Sequence, residues 1–185
     1  MSSIDQILRK RKSHRPADFL QEEISQQELE AVLSVAPYAP NHKKTKPWRY
    51  IVFRGESKDQ LAQKLAELYK ENTATEAFLE KKFESIKENV NKSPVVICII
   101  HQISQSVPEW EEHAAIAMSV LNMWLKITDM GLGGYWSTPG MIRHLDEFLE
   151  LDFSQNCIGL FYLGKINPNE EIREYDWKEF VSFRD

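Results

Sequence analysis

An α+β domain, its sheet mixed and mainly antiparallel and flanked by helices, is the fold class that the sequence predicts. Three observations lead there. Segments of helical apolar period alternate with short aromatic and β-branched runs, but not in the strict strand–helix–strand order of a parallel sheet. The run VVICII at 95–100 has no polar face, as expected of a strand covered on both sides. Residues 109–130 are apolar nearly all round, which a helix tolerates only when it is buried.

The elements follow in chain order. A first helix over about residues 3–12 stops before Pro16. Ser25 and Glu28 form a capping box, Leu29, Val32, Leu33 and Ala36 recur at helical spacing, and Pro37 ends the second helix. WRYIVF at 48–53 is a strand by composition. Residues 57–91 are helical in two pieces joined weakly near ENTAT, and PVVICII follows as the buried strand. Within 109–130, Trp110, Ala114, Ala117, Met118, Leu121 and Leu125 share one face, and Ile116, Val120, Met123 and Ile127 another. So small a chain has little interior for such a helix, so a second subunit is expected to cover part of it. GLGGYWS is a glycine turn entering a strand, a helix is expected over about 140–150, and IGLFYLG is the last strand.

Length and composition limit the functional classes. At 185 residues, 42% apolar and 28% charged, residues 1–185 are expected to form one domain without an internal linker. The longest unbroken apolar run is far short of a membrane span, and the N-terminal basic cluster follows too short an apolar stretch for a signal peptide. A cytoplasmic protein with no membrane partner is expected. A net charge of −5 argues against nucleic acid as partner. Cys98 and Cys157 sit inside apolar runs, where buried thiols are common. Their environment agrees with a reducing compartment. His14, His42, His101, His113 and His144 show no HxxxH spacing, and no metal site is signalled.

Two motifs have two readings each. RKRKSHR at 9–15 sets Arg11 and Arg15 one helical turn apart, with Lys12 and Ser13 between them. Cations there complement a helix C-terminus, and they also form a phosphate clamp, because arginine binds phosphate oxygens as a fork. GLGGYW at 131–136 serves as a helix cap and turn, or lets backbone approach a flat ligand. Trp48 and Trp136 are core residues or cofactor walls by the same reasoning. No nucleophile elbow, Walker loop or paired-carboxylate signature is present, so no catalytic side chain is assigned.

In order, RKSHR, APNHKKTKPWR leading into a strand, a long helix ending in GLGGYW, and GLFYLG resemble the nitroreductase family of FMN-dependent oxidoreductases, in its short bacterial single-domain branch. The resemblance runs from about residue 5 to 168. It implies a nitroreductase-like fold and a homodimer with one FMN at each subunit interface. FMN and NAD(P)H are the implied cofactors, and the implied reaction is ping-pong two-electron reduction of nitroaromatic, quinone or related small-molecule acceptors. It also implies that Arg11, Lys12, Ser13 and Arg15 hold the ribityl phosphate. Tyr38 and His42 would reach the flavin of the other subunit, while Trp136, Ser137 and Thr138 line the flavin on their own.

On that reading, the cationic loop at 39–49 meets an anionic flat cofactor, and Trp48 anchors it to the sheet. Lys43 and Lys44 would supply positive charge to the reduced ring. The chain departs from the family pattern at Lys12, in place of the second arginine, at Lys46, in place of a frequent glutamine, and at Ser137, in place of an arginine. The departures throw more of the phosphate contact onto Arg11. Two other classes stay open: a flavin-binding protein without turnover, and a cofactor-free interaction protein.

Overall fold

VVICII is the axis of the molecule. The computed structural model describes residues 3–168 and 171–184, with β2 (Val95–Gln102) running through the middle of a four-stranded sheet. The sheet order is β1-β2-β4-β3, from β1 (Trp48–Phe53), β3 (Leu132–Ser137) and β4 (Gln155–Lys165), and every pairing is antiparallel. The long central strand explains the apolar run, because side chains alternate into two separate cores.

Val96, Cys98 and Ile100 face one core, which is closed by α3 (Glu56–Glu71) and α4 (Glu80–Asn91). Val95, Ile97 and Ile99 face the other, against α2 (Gln26–Ser34) and α5 (Glu109–Asp129). Burying both faces of one strand ties the two layers together.

The local signals hold where they are chemically specific. Ser25 accepts from the Glu28 amide, and the Glu28 carboxylate accepts from the Ser25 amide at 2.8 Å, so α2 begins with the predicted capping box. The weak junction near ENTAT is a break between α3 and α4, tied by a 3.0 Å hydrogen bond from the Leu79 amide to the Tyr69 hydroxyl.

Two expectations need correction. α1 spans Ser3–Lys10, ending before residue 12, because the backbone beyond it is drawn onto α5 and β3. The helix expected over 140–150 is a short 3-10 segment, Gly140–His144, followed by turns. Met141, Ile142, Leu145 and Leu149, apolar residues at helical spacing, are all buried against the first core. Short-range bonds such as Leu145 amide to Ile142 carbonyl, 3.2 Å, tighten the chain there, so packing overrides the period.

Gly134 shows how close β3 lies to α5. A Cβ at that position would meet Ile127 Cδ1 and lie 2.6 Å from the Phe161 ring, both fully buried. Gly134→Ala should therefore destabilise the fold by about 1–3 kcal/mol, through overpacking of a filled core. Thermal unfolding of that variant checks this, and a melting temperature equal to the parent's would show that the two layers can separate at no cost.

Candidate functional site

After α1, residues 11–15 are laid across the start of β3. The His14 amide donates to the Gly134 carbonyl at 3.0 Å, and the Trp124 indole N–H donates to the Lys12 carbonyl at 3.2 Å. Gly133 permits this contact, since a Cβ there would stand 3.0 Å from His14 Cβ. The segment then turns at buried Pro16, with the Arg15 amide donating to the Asp18 carboxylate at 2.8 Å. Its side chains are thus fixed at the backbone, not by pairing with one another.

The Arg11 guanidinium lies over the Trp124 ring, 5.0 Å from its centroid, a cation–π contact. Burial holds its pKa below the ordinary arginine value, the nearby Arg173 lowers it further, and Tyr175 partly opposes them. No carboxylate pairs with Arg11 among the described residues. A half-buried cation crowded by a second cation favours an anion in the same space.

Lys12 is differently placed. Its ammonium pairs with Glu171 at 2.9 Å, a partner largely exposed to water, so an incoming anion would compete with a weak contact. Burial, Lys12 and Arg173 together hold the His14 pKa low, with Asp18 opposing, and its Nε2 is buried without a partner. Ser13 and Arg15 are exposed.

The loop at 39–46 lies at the other end of α5. His42 Nδ1 contacts the Glu111 carboxylate at 2.5 Å, and the Lys43 ammonium donates to the Ser106 carbonyl at 3.1 Å. Lys43, Lys44 and Lys46 all have left-handed backbone, with φ of 49°, 56° and 47°. Three such residues in four positions are costly for side chains with a Cβ, and a loop that keeps them is held by its surroundings. Asn41 supplies part of the hold, its side-chain oxygen accepting from the Lys46 amide at 3.0 Å. Trp48, 6% exposed, anchors the loop's end in the second core. Tyr38 stands out from the surface at 84% exposure.

Trp136 and Ser137 end β3 half-buried, and Thr138 follows, exposed. Within one chain the two cationic groups stay apart. Arg11 sits on Trp124 and His42 on Glu111, thirteen residues away along α5, or roughly 20 Å at 1.5 Å per residue.

The sequence profile of the nitroreductase family matches residues 8–165. The chain belongs to the nitroreductase family. A relative from Bacillus subtilis (strain 168), named "Putative NAD(P)H nitroreductase YfhC", is 27% identical over 177 residues, 94% of this chain and 89% of that protein. The crystal structure of a nitroreductase-like family protein from Bacillus cereus superimposes with a TM-score of 0.83 at 21% identity, covering 100% of this chain and 97% of that one. The FMN-dependent nitroreductase NfnB from Mycobacterium smegmatis, solved in complex with NADPH, superimposes at 0.77 with 15% identity, covering 98% and 97%.

For a nitroreductase, the structure brings Arg11, Lys12, Ser13 and Arg15 onto one segment beside β3, the strand that carries Trp136 and Ser137. It does not bring His42 to them in the same chain, whereas Tyr38 shares a groove with Ile7 of α1 and Leu125 of α5. Arg173 was not anticipated from the sequence. Its amide donates to the Arg9 carbonyl at 3.1 Å, which sets it against the Arg11 segment. In EEIREYD it is one cation among acids, far along the chain, and no spacing links it to residue 11. Arg11, with no carboxylate partner among the described residues and Arg173 near enough to act on it, fits a phosphate-bearing cofactor.

Proposed function

We propose that this nitroreductase is an FMN-dependent oxidoreductase, taking electrons from NAD(P)H and passing two to nitroaromatic, quinone or related acceptors in alternation. The observation that carries the reading is the half-buried Arg11, seated on Trp124 and acted on by Arg173, with no carboxylate partner among the described residues. Bound FMN supplies the hydride-accepting ring chemistry. Arg11 would bind the ribityl phosphate from its seat on Trp124, with Arg173 adding charge. Lys12 would exchange Glu171 for the same phosphate, and the Ser13 hydroxyl would donate to it. Arg15, exposed next to them, adds long-range attraction. Trp136, Ser137 and Thr138 would wall the cofactor along the end of β3.

We infer further that the working unit is a homodimer with shared flavin sites. Trp110, Ala114, Ala117 and Leu121 are exposed and follow one another along one stripe of α5, and Trp110 is 69% accessible. The C-terminal stretch adds exposed Tyr175, Trp177, Phe180 and Phe183. So much exposed apolar surface is unusual for a monomer, and a second copy would cover it. The partner would bring Tyr38 and His42 to the cofactor, with Lys43 and Lys44 supplying charge to its reduced ring. No helix among the described residues is long and apolar enough to cross a membrane. Cys98 and Cys157 are free and buried, which supports a cytoplasmic, reducing setting.

The test is spectroscopic. Purified protein loaded with FMN is expected to lose its visible flavin absorption when NADH or NADPH is added without oxygen, and to regain it on addition of a quinone. If both nicotinamides leave the absorption unchanged, the oxidoreductase reading is wrong. Bleaching that no acceptor reverses would leave a flavin-binding protein without turnover.

A further inference from the structure

His101 stands at the end of β2 with its side chain fully buried, and its Nε2 lies 2.8 Å from the Glu112 carboxylate. The same carboxyl group accepts from the Ser104 amide, 3.3 Å from Oε1 and 3.4 Å from Oε2. A carboxylate oxygen accepts, so the imidazole faces it with a donating Nε2. The other nitrogen, Nδ1, is then the one His101 has to offer, and it is buried with no hydrogen-bond partner. An orphaned ring nitrogen on a histidine whose far side is fixed by a carboxylate is the arrangement metal-ligating histidines adopt.

Two further donors are at hand. The His113 ring lies edge-on to His101, with centroids 4.7 Å apart, and His113 Nε2 is 3.6 Å from Glu109 Oε1, one turn earlier on α5. One ligand atom from each of His101, Glu109 and His113 lies within 4.8 Å of the others. We propose that these three residues bind a divalent transition-metal cation of the zinc class.

Two imidazoles and one carboxylate suit zinc, cobalt or nickel better than magnesium or calcium, which take mainly oxygen ligands. Bonds of about 2.0–2.1 Å put tetrahedral donors about 3.4 Å apart, so the site needs closure of about an ångström. Glu109 and His113 are exposed and can supply that movement, while buried His101 keeps its place. The positive end of α5 disfavours a cation, but Glu109, Glu111 and Glu112 all lie in that first turn and offset it. The site binds β2 to the start of α5 and requires no flavin. HxxxH spacing could not reveal it, because the helical pair is Glu109 and His113 and the third ligand comes from a strand.

Zinc chloride titrated calorimetrically into the full chain, previously dialysed against EDTA and then into chelator-free buffer, tests the assignment. The expected result is saturable uptake of one zinc ion per chain. His113→Ala and Glu109→Gln, both at exposed positions, should each weaken it by at least about ten-fold. His144→Ala, exposed and outside the cluster, should bind like the parent. Absence of saturable uptake in the parent, parental affinity in either cluster variant, or an equal loss in His144→Ala would overturn the site.

Discussion

Arg11→Ala should bind FMN roughly ten-fold to a hundred-fold more weakly than the parent, as read by fluorescence titration of the flavin. The range follows from a charge-assisted hydrogen bond worth about 1.5–3 kcal/mol, at about 1.4 kcal/mol per factor of ten. Arg11 is expected to dominate its cluster for structural reasons. Its guanidinium is held over Trp124, so little side-chain entropy is lost on binding, and no carboxylate must be displaced. Lys12 must first leave Glu171, and exposed Arg15 is already hydrated. Arg15→Ala should therefore cost less than Arg11→Ala. Unchanged FMN affinity in Arg11→Ala would remove the phosphate from this end of β3.

Much of this arrangement was legible in the chain, for reasons that particular residues make plain. WRYIVF, by its aromatic and β-branched composition, and VVICII, by its lack of a polar face, read as strands, and both are strands in the sheet. The Ser25–Glu28 capping box is a local hydrogen-bond device, so sequence suffices to find it. The predicted phosphate residues fall within five positions, 11–15, so their clustering needed no tertiary knowledge. Arg173 failed that condition: it reaches the Arg11 segment only through the return of the chain after β4. His101 and His113 failed it too, since a strand end and a helix start meet across a loop. The stretch at 140–150 is a 3-10 segment and turns rather than a helix, and its apolar residues Met141, Ile142, Leu145 and Leu149 reach the core from successive tight turns. The departure at Lys12 reads differently with its partner in view, since Glu171 occupies the charge that would have met phosphate.

The sharing of flavin between two chains is the centre of the account, and mixed dimers address it most directly. In one chain Arg11 contacts Trp124 and His42 contacts Glu111, thirteen residues or roughly 20 Å apart along α5 at 1.5 Å per residue. Combining an Arg11→Ala chain with a His42→Ala chain should place both defects in one site of the mixed dimer and neither in the other. FMN titration of the isolated mixed dimer is then expected to show one site per dimer at parental affinity, which neither homodimeric variant possesses. Mixed dimers in which no site recovers, or a chain that sediments as a monomer at micromolar concentration, would contradict the shared site.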